Sequence, residues 1–305
     1  MSGDLGSLSG DPTRRRKEAL IKRSFQGAAA LSVVISGAIV LSLIGNAISF
    51  LSSVEMDALV ADGWFPRQGR FSVLTVVTGT LLVTAVGMLV AMPLGLGAAV
   101  YLAEYATPRM RRALKPVIEI LAGIPSVVIG FFALTFISPT IVQSIWSGTN
   151  LFNMMAAGLG VGILVTPLVA SVSEDSLRAV PLALREAAYG MGARKRTTTL
   201  RVVLPAAVSG IVASLIIGAS RAIGETMVVA MVAGGTGGAA LTVNPLEQGQ
   251  TMTAAMTALA IGSDQVKGAD NAFDSLYFLG LVLFAITLVL NVASERFVRK
   301  VRQTY

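Results

Sequence analysis

The 305-residue sequence contains no cysteine and no histidine, and only 13% of its residues are charged. Without cysteine there is neither a disulfide nor a thiolate, and the redox compartment leaves no trace in the chain. The absence of histidine removes the imidazole base, the Ser-His-Asp triad and the commonest metal ligand together. No G-x-x-x-x-G-K-[ST] loop occurs, so the chain has no such cradle for nucleotide phosphates. A hydrolase built on a carboxylate pair or a Ser-Lys dyad is the remaining catalytic option, and nothing in the pattern favours it. The charged fraction lies well below the roughly 25% of soluble domains, which points to a bilayer.

Apolar residues make up 54% of the chain, and the mean hydropathy is +0.73. They gather into six runs, near 24–50, 71–103, 117–137, 151–173, 204–233 and 275–293. Each is long enough to span, since about 20 helical residues at about 1.5 Å each cross about 30 Å of hydrocarbon. The expectation is an all-α, polytopic integral membrane protein with six transmembrane helices. The second run is over-long and contains Pro93, which predicts a kink or an extramembrane end. The first run follows a charged tail and is too long for the apolar part of a signal peptide, so it reads as a retained helix. Small residues recur in the runs, as in TVVTGTLLVTAVG and MMAAGLGVGILVTP, where they let helices approach closely.

The net charge is +7, and its placement is uneven. Of the 24 basic residues, 20 fall in four stretches: the N-terminal tail, 104–116, 174–203 and the C-terminal tail. The alternate loops hold only Arg67, Arg70 and Lys267, and Arg221 lies within a run. The positive-inside rule therefore puts both termini and the 174–203 loop in the cytoplasm, and the basic balance expresses topology, with no nucleic acid implied. Residues 1–13 read as disordered, and the basic run after them as an anchor on anionic headgroups. In the external segment 51–70, Trp64 and Phe65 precede Pro66 and are placed to lie at the water interface. The apolar stretch near 251–261 is too short to cross and reads as a re-entrant or surface helix on the outer face.

The loop between the fourth and fifth runs has a pattern of its own. Pro181 suits the first turn of a helix, LALREAAY continues it, and Gly190 and Gly192 end it. A second short helix follows through RKRTTTLRVV, and Pro205 opens the fifth span. The expected product is a cytoplasmic helix-turn-helix. In it Ala187 and Ala188 permit close approach by another surface, and Glu186 is placed to cap or pair locally. Within the fifth run, Arg221 and Glu225 are four apart and so share a helix face. An arginine at the bilayer centre costs roughly 2.5–3.5 kcal/mol on the lenient scale, so something must offset it. Two readings stay open: a face turned to a polar cavity, where the guanidinium meets an oxyanion, or a structural ion pair between helices. Glu119, at the cytoplasmic start of the third run, reads as a lining group or an interface residue, and Gly123 and Pro125 loosen the helix beside it.

Glu186-Ala187-Ala188, three residues, Gly192, nine residues, then Val202, Val203, Leu204 and Pro205 resemble the EAA loop of ABC importer permeases. The segments GTLLVTAVGMLVAMPLGLGAAVYLAEY, EILAGIPSVVIGF, SRAIGETM and NPLEQGQTMTAAM are similar to the phosphate importer permeases of the PstC/PstA type, with the first span and the WFP segment closer to the PstC type. The resemblance covers about three quarters of the chain, roughly residues 71–293. It implies a type I ABC importer permease fold in a bacterial cytoplasmic (inner) membrane. Its domains would be a tail at 1–23, a first helix and external segment at 24–70, a permease domain at 71–296 with the coupling loop at 176–205, and a tail at 297–305. The implied partners are a second permease subunit of the PstA type, two ATP-binding subunits of the PstB type, an external phosphate-binding protein, membrane lipid and the phosphate ion. No cofactor, metal or catalytic residue is expected in this chain, since the partners hydrolyse the ATP. The coupling residues carried over are Glu186, Ala187, Ala188, Gly192, Leu204 and Pro205; those of the substrate pathway are Arg221, Glu225, Glu119 and Thr226. A permease for sulfate or molybdate is the nearest alternative, and an ion-coupled transporter acting alone is the alternative from another class.

Overall fold

The structure, a computed structural model, describes residues 12–235, 237–262 and 271–301. The first eleven residues of the tail, Lys267 and Arg302 therefore lie outside the described residues. Ten helices carry the fold: α1 (Pro12–Ser53), α2 (Val73–Tyr105), α3 (Pro108–Ala122), α4 (Ser126–Ile145), α5 (Met154–Arg178), α6 (Leu182–Gly190), α7 (Lys195–Ile223), α8 (Met227–Val232), α9 (Met252–Ala260) and α10 (Ser275–Val301). Six of them, α1, α2, α4, α5, α7 and α10, are long and apolar enough to cross a membrane. The all-α reading holds, with one two-residue hairpin, Trp64–Phe65 on Arg70–Phe71, between α1 and α2.

Three boundaries differ from the sequence reading. The third span begins at Ser126 rather than near 117, because the chain breaks at Gly123-Ile124-Pro125 and leaves α3 as a separate amphipathic helix. Its Val117, Ile120 and Leu121 are exposed while Lys115 and Arg111 turn inward. The fifth span ends at Ile223, and the chain restarts as α8, so the run at 204–233 is not one helix. At its cytoplasmic end α7 begins at Lys195, and Pro205 sits inside it, just after a wide π-turn over Thr199–Val203.

Packing is strongest between α2 and α5, whose glycines let the backbones meet. A Cβ added at Gly162 would stand 2.8 Å from the Gly87 carbonyl and 2.9 Å from Val90, closer than real side chains come. Without a hydrophobic drive in lipid, such close van der Waals contact is what holds helices together. Around this seam lies the central core, with Val83, Ile129, Ile137, Val161, Val165 and Val228. A second cluster closes the external end. There Trp64 is fully buried, edge-on to Phe71 at 5.7 Å, which corrects the expectation that it lies at the water interface: the hairpin folds it under the loop at Ala239. A third cluster, Ala99, Leu177, Val180, Val203, Ala207 and Ile211, closes the opposite end, beside α6. In contrast α1 is apolar all round from Phe25 onward and exposed along most of that length; Ala47 and Phe50, near its end, are buried. A helix apolar on every side is suited to hydrocarbon rather than water.

Candidate functional site

Two charged constellations stand out, one at the end of the bundle that carries α6 and one at the end of the fifth span. The first is built on the helix-turn-helix α6–α7. Gly190 closes α6, and Gly192 follows at φ +80°, with nothing within 4 Å of a Cβ there, so the glycine is required by backbone conformation and not by space. Its N–H donates to the Tyr189 carbonyl at 2.9 Å and that of Ala193 to the Ala188 carbonyl at 3.0 Å, tying the turn.

The helix α6 has two faces. Leu182, Glu186, Ala187, Tyr189 and Met191 are exposed, and Glu186 has no ion pair among the described residues. Arg185 and Ala188 turn inward. Ala188 is thus spent on packing within this chain, a correction to the expectation that both alanines meet another surface. Leu204 packs into the third cluster behind the hairpin, while Pro205 is exposed.

Two buried carboxylates, which the sequence reading did not single out, hold this end together. Glu174 is fully buried; its Oε1 accepts from Arg111 Nε at 2.9 Å and its Oε2 from Lys115 at 2.7 Å, while Arg178 stands at 3.8 Å. These bonds clamp α3 onto the end of α5. Hydrogen bonds to Asp175 and then to Glu174 hold the Lys115 ammonium above its ordinary value, against the opposing effect of burial. Glu104, at the end of α2, pairs with Arg185 at 3.0 Å, and both side chains are nearly out of solvent. The available signal was the pair of acids at the ends of apolar runs, each among cations. Glu119 is exposed on α3 and lines a cavity of about 670 Å³ with Arg111, Arg112, Lys115 and Arg178, so it stands on a helix outside the six candidate spans.

The second constellation is the break between α7 and α8. Arg221 lies in the last turn of α7, where a cation opposes the negative end of the helix dipole. Glu225 lies beyond the break, with its carboxylate accepting from the N–H groups of Met227 at 3.2 Å and Val228 at 3.4 Å. These capping bonds account for the interruption: backbone donors freed within a span must be satisfied by protein. The two residues are therefore close without sharing a continuous helix face. Arg221 stands 3.7 Å from Glu225, with the arginine side chain 53% exposed and the carboxylate side chain 3%. Thr226 follows, half-buried, and its hydroxyl donates to the Gly224 carbonyl at 3.3 Å. From the side of the Trp64 hairpin the short helix α9 reaches this break. Thr253 donates to the Glu225 carbonyl at 2.7 Å, and the Met252 N–H donates to Thr80 of α2 at 3.0 Å. Among the described residues no group of three metal-ligating side chains forms.

The chain as a whole is similar to known proteins. The chain is 31% identical over 314 residues to "Phosphate transport system permease protein PstC" of Mesorhizobium japonicum, covering 95% of this chain and 94% of that one. It is 34% identical over 287 residues to "Phosphate transport system permease protein PstC 1" of Mycobacterium tuberculosis, covering 85% and 84%. Among solved structures, a bacterial ABC transporter involved in import of the acidic polysaccharide alginate matches with a TM-score of 0.63 at 18% identity, over 94% of this chain and all of that one, which shows the shared ABC importer permease fold. Residues 91–303 match the model for "Binding-protein-dependent transport system inner membrane component". A multi-pass chain with these helices, this hairpin and these relatives belongs to that family of transport permeases.

Proposed function

We propose that the chain is the PstC-type permease subunit of an ATP-driven importer of inorganic phosphate. It pairs with a second, PstA-type permease, takes its cargo from an external phosphate-binding protein, and is worked by two PstB-type ATP-binding subunits. Both termini lie in the cytoplasm, in agreement with the basic residues at the ends of α2, α5 and α10. The permease domain spans 71–296, and the loop at 176–205 is its coupling element.

The outer face of α6 offers the docking surface. Leu182, Tyr189 and Met191 give exposed apolar area around an unpaired Glu186, a combination suited to a cleft on a protein partner. Glu186, Ala187 and Gly192 act there directly, and Ala188, Leu204 and Pro205 shape the hairpin behind them.

One observation carries the cargo reading: a guanidinium within a membrane span is left half exposed, with its nearest carboxylate too far for a good hydrogen bond. Such a group retains donors for a tetrahedral oxyanion, which it can meet with two parallel bonds. Glu225 lowers the net charge of the site, so that the anion is held briefly and released. Thr226 adds a hydroxyl beside it. Glu119, on the cytoplasmic rim, has no part in this site. The names of the relatives favour phosphate over sulfate or molybdate.

The test is uptake of labelled phosphate and labelled sulfate by the whole complex in vesicles, with and without ATP on the side of the hairpin. The expected result is ATP-dependent uptake of phosphate and not of sulfate. Equal or faster uptake of sulfate or molybdate would overturn the cargo assignment.

A further inference from the structure

The hairpin does more than present an outer face, since its inner side grips the end of α2 at two successive residues. The α2 helix finishes in a wide turn, with the Ala106 N–H donating to the Tyr101 carbonyl five residues back at 2.7 Å. Turns of this kind are rare inside helices and gather at functional positions. Within it, Glu104 accepts from Arg185 Nε at 3.3 Å and from a terminal guanidinium nitrogen at 3.0 Å. Arg185 is its one partner among the described residues. On the other arm of the hairpin, Lys195 Nζ lies 5.1 Å from the centre of the Tyr105 ring, within cation–π range.

We infer that the Glu104–Arg185 ion pair, with Lys195 over Tyr105, is the joint that hands movement of the hairpin to α2, making Glu104 and Arg185 positioning residues for transport. This rests on the hairpin being the docking element.

What lies at the far end of α2 supports the assignment. Thr80 stands 24 residues before Glu104 on a near-continuous helix, about 36 Å away at 1.5 Å per residue. Its hydroxyl accepts from the Met252 N–H, and the neighbouring Thr253 bonds the carbonyl of Glu225, the partner of Arg221. A displacement applied at Glu104 thus reaches the broken span through one helix, which carries Pro93, and two hydrogen bonds. On both sides of Pro93, Gly87 and Gly95 hold that helix close against α5.

Arg185 also donates to the carbonyls of Leu177 at 2.8 Å and Val180 at 2.6 Å, at the end of α5. A role confined to capping α5 is therefore the competing account. Glu104→Gln separates the two, because it removes the ion pair and leaves both carbonyl bonds available.

The experiment uses the intact complex with its ATP-binding subunits and binding protein in vesicles, reading phosphate taken up per ATP hydrolysed. The joint predicts that Glu104→Gln and Arg185→Met each lower this ratio by about tenfold, the mid-range of coupling between sites, and that the double variant is no worse than either. The ratio is read per assembled complex, and basal ATP hydrolysis in Glu104→Gln stays within about twofold of the parent. An unchanged ratio in Glu104→Gln refutes the joint and leaves capping. Since this chain lacks cysteine, spin labels at Thr197→Cys and Tyr101→Cys give a second readout that leaves the outer face of α6 intact. Their separation should stay constant through the nucleotide cycle, and a change of about 5 Å, one helical turn, contradicts the joint. Glu186→Arg serves as the parallel control on the outer face. A normal ratio there sinks the docking reading, whereas a defect there beside a normal Glu104→Gln sinks only the joint.

Discussion

Two Arg–Glu pairs of the chain look alike in composition and differ in geometry. Arg185 and Glu104 meet at 3.0 Å with both side chains nearly buried, and two more of the arginine's donors are taken by backbone carbonyls. Arg221 and Glu225 stand 3.7 Å apart, with the arginine half exposed and the carboxylate occupied by two backbone N–H groups. A guanidinium with most of its donors engaged fixes the elements around it. One that stands half exposed at the break of a span keeps donors that, under the proposed function, meet the anion. The cost of holding charge away from water is met by closure in the first pair and, on that proposal, by the cargo path in the second.

The sharpest way to break the contrast is to remove the open arginine. Arg221→Ala is expected to lower phosphate uptake by about 100-fold or more, the scale of losing a charge-assisted contact to the cargo, with the complex still assembled. Loss of the whole complex would instead make this pair structural, like its counterpart. The closed end should respond in stability. Glu174→Gln removes the anion shared by Arg111 and Lys115 and is expected to cost about 1–3 kcal/mol, read as a lower thermal midpoint of the purified complex. Arg221→Ala in the same assay should change stability by no more than about 0.5 kcal/mol.

Smaller still, Gly192→Ala places a side chain at φ +80° and should weaken the hairpin by about 1–2 kcal/mol, seen as faster hydrogen exchange over 182–203. The least effect is expected at the external loop. There, hydrogen bonds from Thr242 and then Asn244 hold Glu247 below the ordinary 4.5. A lowered folded value means that the contribution is complete above 4.5 and is lost as pH falls through the depressed value. Exchange in 242–248, corrected for the intrinsic rate, should thus stay flat from neutral pH down to about 5 and rise below it.

The six spans were legible because bilayer thickness imposes a length that apolar runs declare directly. The errors arose where polar and apolar signals overlapped. Val117, Ile118, Ile120 and Leu121 read as the start of the third span, yet the inward turn of Arg111 and Lys115 makes their helix amphipathic, and Pro125 separates it from α4. Counting four residues put Arg221 and Glu225 on one face, which presumes an unbroken helix; Gly224 and the capping carboxylate interrupt it. The Glu104–Arg185 pair spans 81 positions, and local pattern carries no information at that range. Trp64 was legible as an aromatic near an interface but not as buried, since the burial depends on Phe71 and the distant Ala239.

The most direct test of the account compares this permease complex in vesicles with and without its ATP-binding subunits, measuring labelled phosphate accumulated against a gradient. Accumulation should require the ATP-binding subunits, ATP and the binding protein together, and should vanish when any one is withheld. Accumulation at the full rate by the membrane subunits alone would contradict it.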